Sequence, residues 1–273
     1  MVSGLRCEVQ PAMNSLLNRV YADYLMPSRL KEYEAVLAQA AEMGYAQMPV
    51  RTFFRALAQP ASLPGRVLVH RHDIDSDLRT ARKLFALETK HGAAASYYFR
   101  LCTLDFGFMR EIEAAGGEAS YHYEEASDFA KRHRLRQPDA LRSCFPEIRE
   151  LFVRNFDGIA QRLGRPLATV ASHGDFANRR LKVANHELLR CPALRARCGI
   201  ECEAYDDELL SAIDLYISDR KYPVYYKPVS PFDALGKHPR LLFLTHPGQW
   251  EHNWADNTRS NARRVLEELE WRL

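Results

Sequence analysis

Residues 70–77, HRHDIDSD, set two histidines and three aspartates at the end of the apolar run VLV. Charged side chains that close a buried strand have to be paired, hydrogen-bonded or bound to metal. Strand alternation sends Asp73 and Asp75 to one face and His70 and His72 to the other. Two carboxylates so close repel unless one binds a cation and the other is placed to accept a proton, and hydrolytic metal sites need that division of labour. The competing reading is a salt-bridged corner in which Arg71 and Arg79 neutralise both acids.

Four more candidate strands end in a side chain of ligand or acid/base type: EASYH at His122, LATVASH at His173, LYISD at Asp219 and LLFLTH at His246. In parallel α/β folds the C-terminal ends of the strands share one face, so residues distant in sequence converge there. A lone histidine at a strand end is ordinarily only a hydrogen-bonded residue. The recurrence along the chain points instead to one site.

The elements that must position these residues alternate. SRLKEYEAVLAQAAEMG (28–44) predicts an amphipathic helix with a serine N-cap and a closing glycine, and RTFFRALAQ a shorter helix. After the turn PASLPG, RVLVHRHDID reads as a strand and DLRTARKLFALETKHG as a helix; AASYYFRL and EASYH are strands around the helix FGFMREIEAAGG. Helical periodicity from about Pro138 to Leu163 breaks or restarts at Pro146. PLATVASHG, DLYISD and RLLFLTHP are further strands, and NTRSNARRVLEELEWRL a C-terminal helix, whereas 181–212 has no clear assignment. The pattern predicts one α/β domain with a largely parallel, barrel-like sheet over 28–273. Residues 1–27 form an N-terminal extension, its first dozen residues poorly ordered.

Composition excludes several classes. A formal charge of +3, with basic residues spread along 273 positions, gives no electrostatic case for nucleic acid. The six cysteines are not arranged as CxxC pairs and read as reduced thiols; Cys191, Cys198 and Cys202 match no common zinc finger. No apolar stretch reaches the length of a membrane span and the first twenty residues hold no signal-like apolar region, so the expected location is cytoplasmic.

With HDID, SYYFR, GGEASYHYE, ASHGD, YISD and LTHPGQW in that order over roughly residues 66–254, the chain resembles the polysaccharide deacetylase (NodB-homology, carbohydrate esterase 4) superfamily, in its divergent branch with an H-D-x-D first motif. The resemblance implies an α/β fold of the distorted (β/α) barrel type. It implies Asp73 as catalytic base, Asp75 as metal ligand, His122 as the first histidine of the family's H-x-x-x-H pair and His246 as general acid. Two departures stand out: Ala126 occupies the position of the second metal histidine, and SHG replaces the arginine-proline motif of the third motif strand. His173, in that strand, is expected to supply the missing imidazole, with Glu124 and Glu125 as rival ligands. An Asp/His/His set with an open position suits a divalent transition metal, zinc first. Asp219 is expected to anchor a basic or histidine partner, Trp250 to stack on a sugar ring, and Arg71 and Glu124 to support the site or touch substrate.

The expected activity is metal-dependent removal of an acyl group, of N-deacetylase type, from a sugar or sugar-linked intermediate of surface polysaccharide biosynthesis. One alternative is an amidohydrolase of another amide substrate that binds metal through His70-x-His72. A second is a catalytically degenerate relative that only binds glycan.

Overall fold

The computed structural model describes residues 16–272. Its centre is the strand β2 (Val67–Ile74), preceded by β1 (Ala46–Pro49) and followed by β3 (Ser96–Phe99), β4 (Glu118–Tyr123), β5 (Thr169–Ser172), β6 (Cys202–Glu203), β7 (Leu215–Asp219), β8 (Tyr226–Lys227) and β9 (Arg240–Thr245). All nine join one sheet in the order β6-β5-β4-β3-β2-β9-β7-β8, with β1 pairing β2 off that path. One edge of β2 pairs with β9, while the other is shared: β1 takes Val67–His70 and β3 takes Arg71–Ile74. Every pairing is parallel except β7 with β8.

The path ends at β6 and β8 without joining them, so the barrel suggested by the sequence is an open, curled half-barrel. Val67 and Val69 of β2 cluster inside the curl with Tyr98, Ala171, Cys202, Leu242 and Leu244 from four neighbouring strands. On the outer face Leu68 packs with Tyr33, Val36 and Leu37 of the helix Leu30–Glu42, and Ile74 with Phe108 and Met109 of the helix Phe106–Ala114. A strand covered on both faces is apolar at both parities, which is why VLV carries no alternation. Where that run ends, parity decides: Arg71, Asp73 and Asp75 follow Val67 and Val69 inward, and His70 and His72 follow Leu68 outward.

The outward histidines are held by the fold. His70 meets the Gln47 side-chain oxygen through Nε2 at 2.8 Å. His72 meets Glu88 through Nε2 at 2.5 Å and Thr245 through Nδ1. Glu88 also accepts the Tyr33 and Tyr97 hydroxyls at 2.5 and 2.6 Å. Burial works to raise the Glu88 pKa, but His72 and the hydroxyl donors outweigh it and hold the carboxyl below its ordinary value. His70 and His72 thus face away from the inner surface of the sheet and do not form the metal pair of the amidohydrolase alternative.

Several elements differ from the sequence reading. The first long helix starts at Leu30 with Arg29, not Ser28, at the N-cap, because the Arg29 amide is tied to the Trp250 carbonyl at 2.7 Å. The stretch 138–163, by contrast, restarts where the sequence predicts: it is two helices, Pro138–Ser143 and Phe145–Leu163, with Pro146 in the first turn of the second, where its missing N–H costs nothing. Strands β1, β6 and β8 are too short to give a periodic signal. The unassigned region 181–212 contains a 3₁₀ turn Asn185–Arg190, the helix Pro192–Cys198, β6 and the helix Asp207–Ser211. Cys191, Cys198 and Cys202 are free thiols.

The expectation for the first dozen residues falls outside the described residues. From Leu16 the chain is helical and docks on the C-terminal helix Trp254–Arg272: Asn257 donates to the Asp23 carbonyl at 2.6 Å, and Tyr24 stands edge-on to Trp254 at 5.6 Å. Among the described residues no helix is long and apolar enough to cross a membrane.

Glu88→Ala strands three buried donors on the outer face of β2. It should lower the unfolding free energy by about 3–5 kcal/mol, read from urea denaturation; a loss under about 1 kcal/mol would mean that the network adds little to stability.

Candidate metal centre

The C-terminal ends of β2, β4 and β5 deliver Asp75, His122 and His173 to one point at the mouth of the curl. One potential ligand atom from each lies within 4.8 Å of the others. Three local features bring this about. Asp77 ends β2 abruptly, adopting φ +51° and capping the helix Leu78–Lys90 through Thr80, so Asp75 sits on the short bend between strand and helix. His122 lies within β4, and its Nδ1 donates to the Ala171 carbonyl of β5 at 3.0 Å. A carbonyl can only accept, so Nδ1 carries the hydrogen and Nε2 presents a lone pair to the site. His173 follows β5 directly, its ring edge-on to His122 at 5.2 Å between centroids.

These atoms are spaced as ligands are. His122 Nε2 and His173 Nε2 stand 3.3 and 3.5 Å from Asp75 Oδ1. Ligands at about 2.0–2.1 Å from a tetrahedral ion lie about 3.3 Å from one another. Neither histidine is aligned to donate, and Asp75 Oδ1 is a buried oxygen without a hydrogen-bond donor. Buried oxygens without partners are rare and call for an explanation such as an ion.

Charge balance singles out the same residue. Arg71 forks both oxygens of Asp73 at 2.9 Å each. Arg100 forks Glu124 at 2.9 and 2.6 Å, and Asp219 carries His246 at 2.7 Å. Among the described residues Asp75 alone of these four carboxylates has no arginine or capping histidine bonded to it. Burial would raise its pKa, but His173 and His122 beside it hold the carboxyl far below the ordinary value. Burial lowers the His173 pKa, and Asp75 and Glu124 more than reverse that, so in the metal-free protein a proton competes for the position of the ion. Asp75, His122 and His173 therefore fit a divalent transition metal with a position left open.

Glu124, a rival ligand in the sequence reading, stands behind His173: its Oε2 is 3.2 Å from His173 Nδ1, on the ring edge opposite Asp75. No hydrogen bond joins the two, and the carboxylate acts on the imidazole by its charge, which makes it more basic. Glu125 is not part of the site. It turns to Tyr121 and Asn155 on the helical side, and burial pushes its carboxyl up to about 7.

Asp73 lies 3.5 Å from His122 Nε2. Burial works to raise its pKa, but Arg71 holds it below the ordinary carboxylate range. The neutralisation considered from the sequence is thus half present: Arg71 pairs with Asp73, while Arg79 pairs with Glu251 instead.

Opposite, His246 follows β9 and its Nδ1 donates to Asp219 of β7, leaving Nε2 free. Asp219 is fully buried and accepts two more donors, the His246 amide at 2.7 Å and Trp250 Nε1 at 3.0 Å. Burial works to lower the His246 pKa, yet Asp219 and the nearby Asp75 and Asp73 raise it to about 9. Trp250 corrects an expectation: it has no exposed surface with which to stack on a sugar, and it serves to fix Asp219. Sequence reading gave no role to Arg100, although it closes the apolar strand SYYF as His122 closes its own strand.

Asp73, Asp75, His173 and His246 line one cleft of about 490 Å³. No family model and no curated protein matches the chain. Among solved structures it is similar to the Streptococcus pyogenes deacetylase PplD in complex with acetate, over 56% of this chain and 68% of that one, with 12% identity and a TM-score of 0.39.

Calorimetric zinc titration, or the visible spectrum of a cobalt-loaded protein, tests the centre. Asp75→Asn and His173→Ala should each weaken binding by more than the about 10–100-fold expected for Glu124→Gln, which removes only the support behind a ligand. Binding unchanged in His173→Ala would remove that residue from the ligand set.

Proposed function

We propose that the chain is a metal-dependent hydrolase that removes the N-acyl group from a sugar or sugar-linked intermediate of surface polysaccharide synthesis. One observation carries this reading. A three-residue ligand set, two of whose members line the cleft, is flanked there by a carboxylate locked in orientation and by an imidazole whose pKa Asp219 raises. Amide hydrolysis needs these parts because water is a poor nucleophile and an amine a poor leaving group. The ordered motifs from HDID to LTHPGQW support the same reading.

A divalent ion held by Asp75, His122 and His173 would lower the pKa of a water and polarise the acyl carbonyl. Asp73 accepts the proton of the attacking water. Its ionised form is secured by Arg71, and the two-point fork keeps the carboxylate from turning away. His246 donates from Nε2 to the leaving nitrogen. Asp219 fixes its tautomer through Nδ1 and stabilises the imidazolium, while Trp250 and the His246 amide fix Asp219. The direction of proton flow is thus set by environment: the base sits against a permanent cation, the acid against a buried anion.

Asp73→Asn should keep metal affinity while hydrolysis of an N-acetyl sugar derivative, followed as acetate release, falls by about 10²–10⁴-fold. A variant with near-normal turnover would dismiss Asp73 as base. His246→Ala should depress amide hydrolysis far more than hydrolysis of an activated ester, whose leaving group needs no proton; equal losses would indicate a role in binding alone.

The pH profile follows from the environment of His246. The donating form is protonated, so activity should be lost as pH rises through about 9. Asp219→Asn removes the anion but leaves the burial, so the alkaline limb should move down by more than a pH unit. A limb that stays in place would assign it to another group.

A further inference from the structure

We infer that the outer part of the cleft holds the phosphate or diphosphate group of a phosphorylated N-acyl sugar; this rests on the deacetylase reading for the sugar, and on separate residues for the anion. The cleft, at about 490 Å³, is of a size that takes a whole drug-sized ligand, well beyond an acetamido group. Its floor is Asp73, Asp75, His173 and His246. Its outer wall is one face of the C-terminal helix together with the segment that follows β5, and there the lining changes to arginine.

Arg179, Arg259 and Arg264 all line the cleft and are exposed, and none has an acidic partner among the described residues. The acids beside them are engaged elsewhere. Asp175 caps the helix Phe176–Leu181 and takes Lys131 at 3.2 Å. Glu267 takes Lys131 at 3.0 Å and Arg263 at 2.8 Å, and Asp256 accepts from Asn253 at 2.8 Å. Asp77 is engaged by Thr80 and Asn253. Among the described residues the rim therefore carries three guanidinium groups without an ion-pair partner, on two elements that line one cleft.

That arrangement suits a multivalent anion. A carboxylate is satisfied by one arginine fork. A phosphate monoester bears about −1.5 to −2 charges and three acceptor oxygens near neutral pH, so it can engage arginines from two walls at once. The helix that carries Arg179 starts three residues past His173, so one short segment links the arginine wall to the ligand set.

The test titrates inorganic pyrophosphate into the full-length wild-type protein and into the Arg259→Ala/Arg264→Ala and Arg179→Ala variants by calorimetry, with thermal melting to verify folding. Removing each arginine should weaken binding by about tenfold, and affinity should fall as salt is raised. In parallel, kcat/KM is compared for N-acetylglucosamine and its 1-phosphate, and for the same sugar on a soluble nucleotide diphosphate and on a polyprenyl diphosphate in detergent micelles. A preference for the phosphorylated forms that collapses in the double variant supports the inference, and the last two substrates show which carrier supplies the diphosphate. Pyrophosphate bound equally by wild type and variants, or not at all, overturns it. So does equal turnover of free and phosphorylated sugar, which leaves the deacetylase reading intact. Arginine-dependent pyrophosphate binding with no N-acyl hydrolysis on any of these substrates would uphold the anion site and reject the deacetylase reading.

Discussion

Arg71 is a guanidinium with no exposure to solvent, and the organisation of the site depends on how its charge is met. Asp73 takes it in a two-point fork, and the ring of Tyr205 lies 4.5 Å beneath it. Removing one partner of such a pair leaves an uncompensated buried charge, at a cost of about 3–5 kcal/mol. The pair therefore pins the carboxylate in place and keeps it ionised inside an apolar curl. The same contact ties one end of the sheet to its centre, because Tyr205 follows β6 while Arg71 belongs to the central strand.

Strand β2 thereby does two jobs on two faces. Inward, Arg71, Asp73 and Asp75 continue the line of Val67 and Val69 and form part of the polar mouth. Outward, His70 and His72 meet Gln47, Glu88 and Thr245 and tie the sheet to its helices. A one-residue slip would exchange the two sets, placing imidazoles at the mouth and carboxylates against the helical layer. Pairing with β9 along one edge and with β1 and β3 along the other opposes that slip throughout the strand.

Around the mouth, ionisable groups hold one another's states. Arg71 favours Asp73 as an anion, His173 and Arg100 do so for Glu124, and Asp219 with Asp75 and Asp73 favours His246 as a cation. Asp75 is left with two imidazoles and an oxygen lacking a donor. Asp75 Oδ1 and His173 Nδ1, both on residues of the ligand set, are buried without a hydrogen bond, amid the fixed surroundings a metal site needs.

Much of this was legible in the chain itself. Alternation in HRHDID separates the acids from the histidines, since a strand's side chains have period two whatever surrounds them. Strand-final His122, His173 and His246 mark the mouth because parallel strands share one end. Partner choice was not legible. Nothing in the sequence tells Arg71 from Arg79 as the neighbour of Asp73, Glu124 from Glu125 as the group behind His173, or a sugar-facing Trp250 from a buried one. These choices rest on which atoms meet across the curl, between residues up to about a hundred or more positions apart in the chain. Local sequence determines secondary structure and facing through short-range sterics; charge pairing, burial and the protonation states that follow depend on distances that only the packed sheet and its helices define.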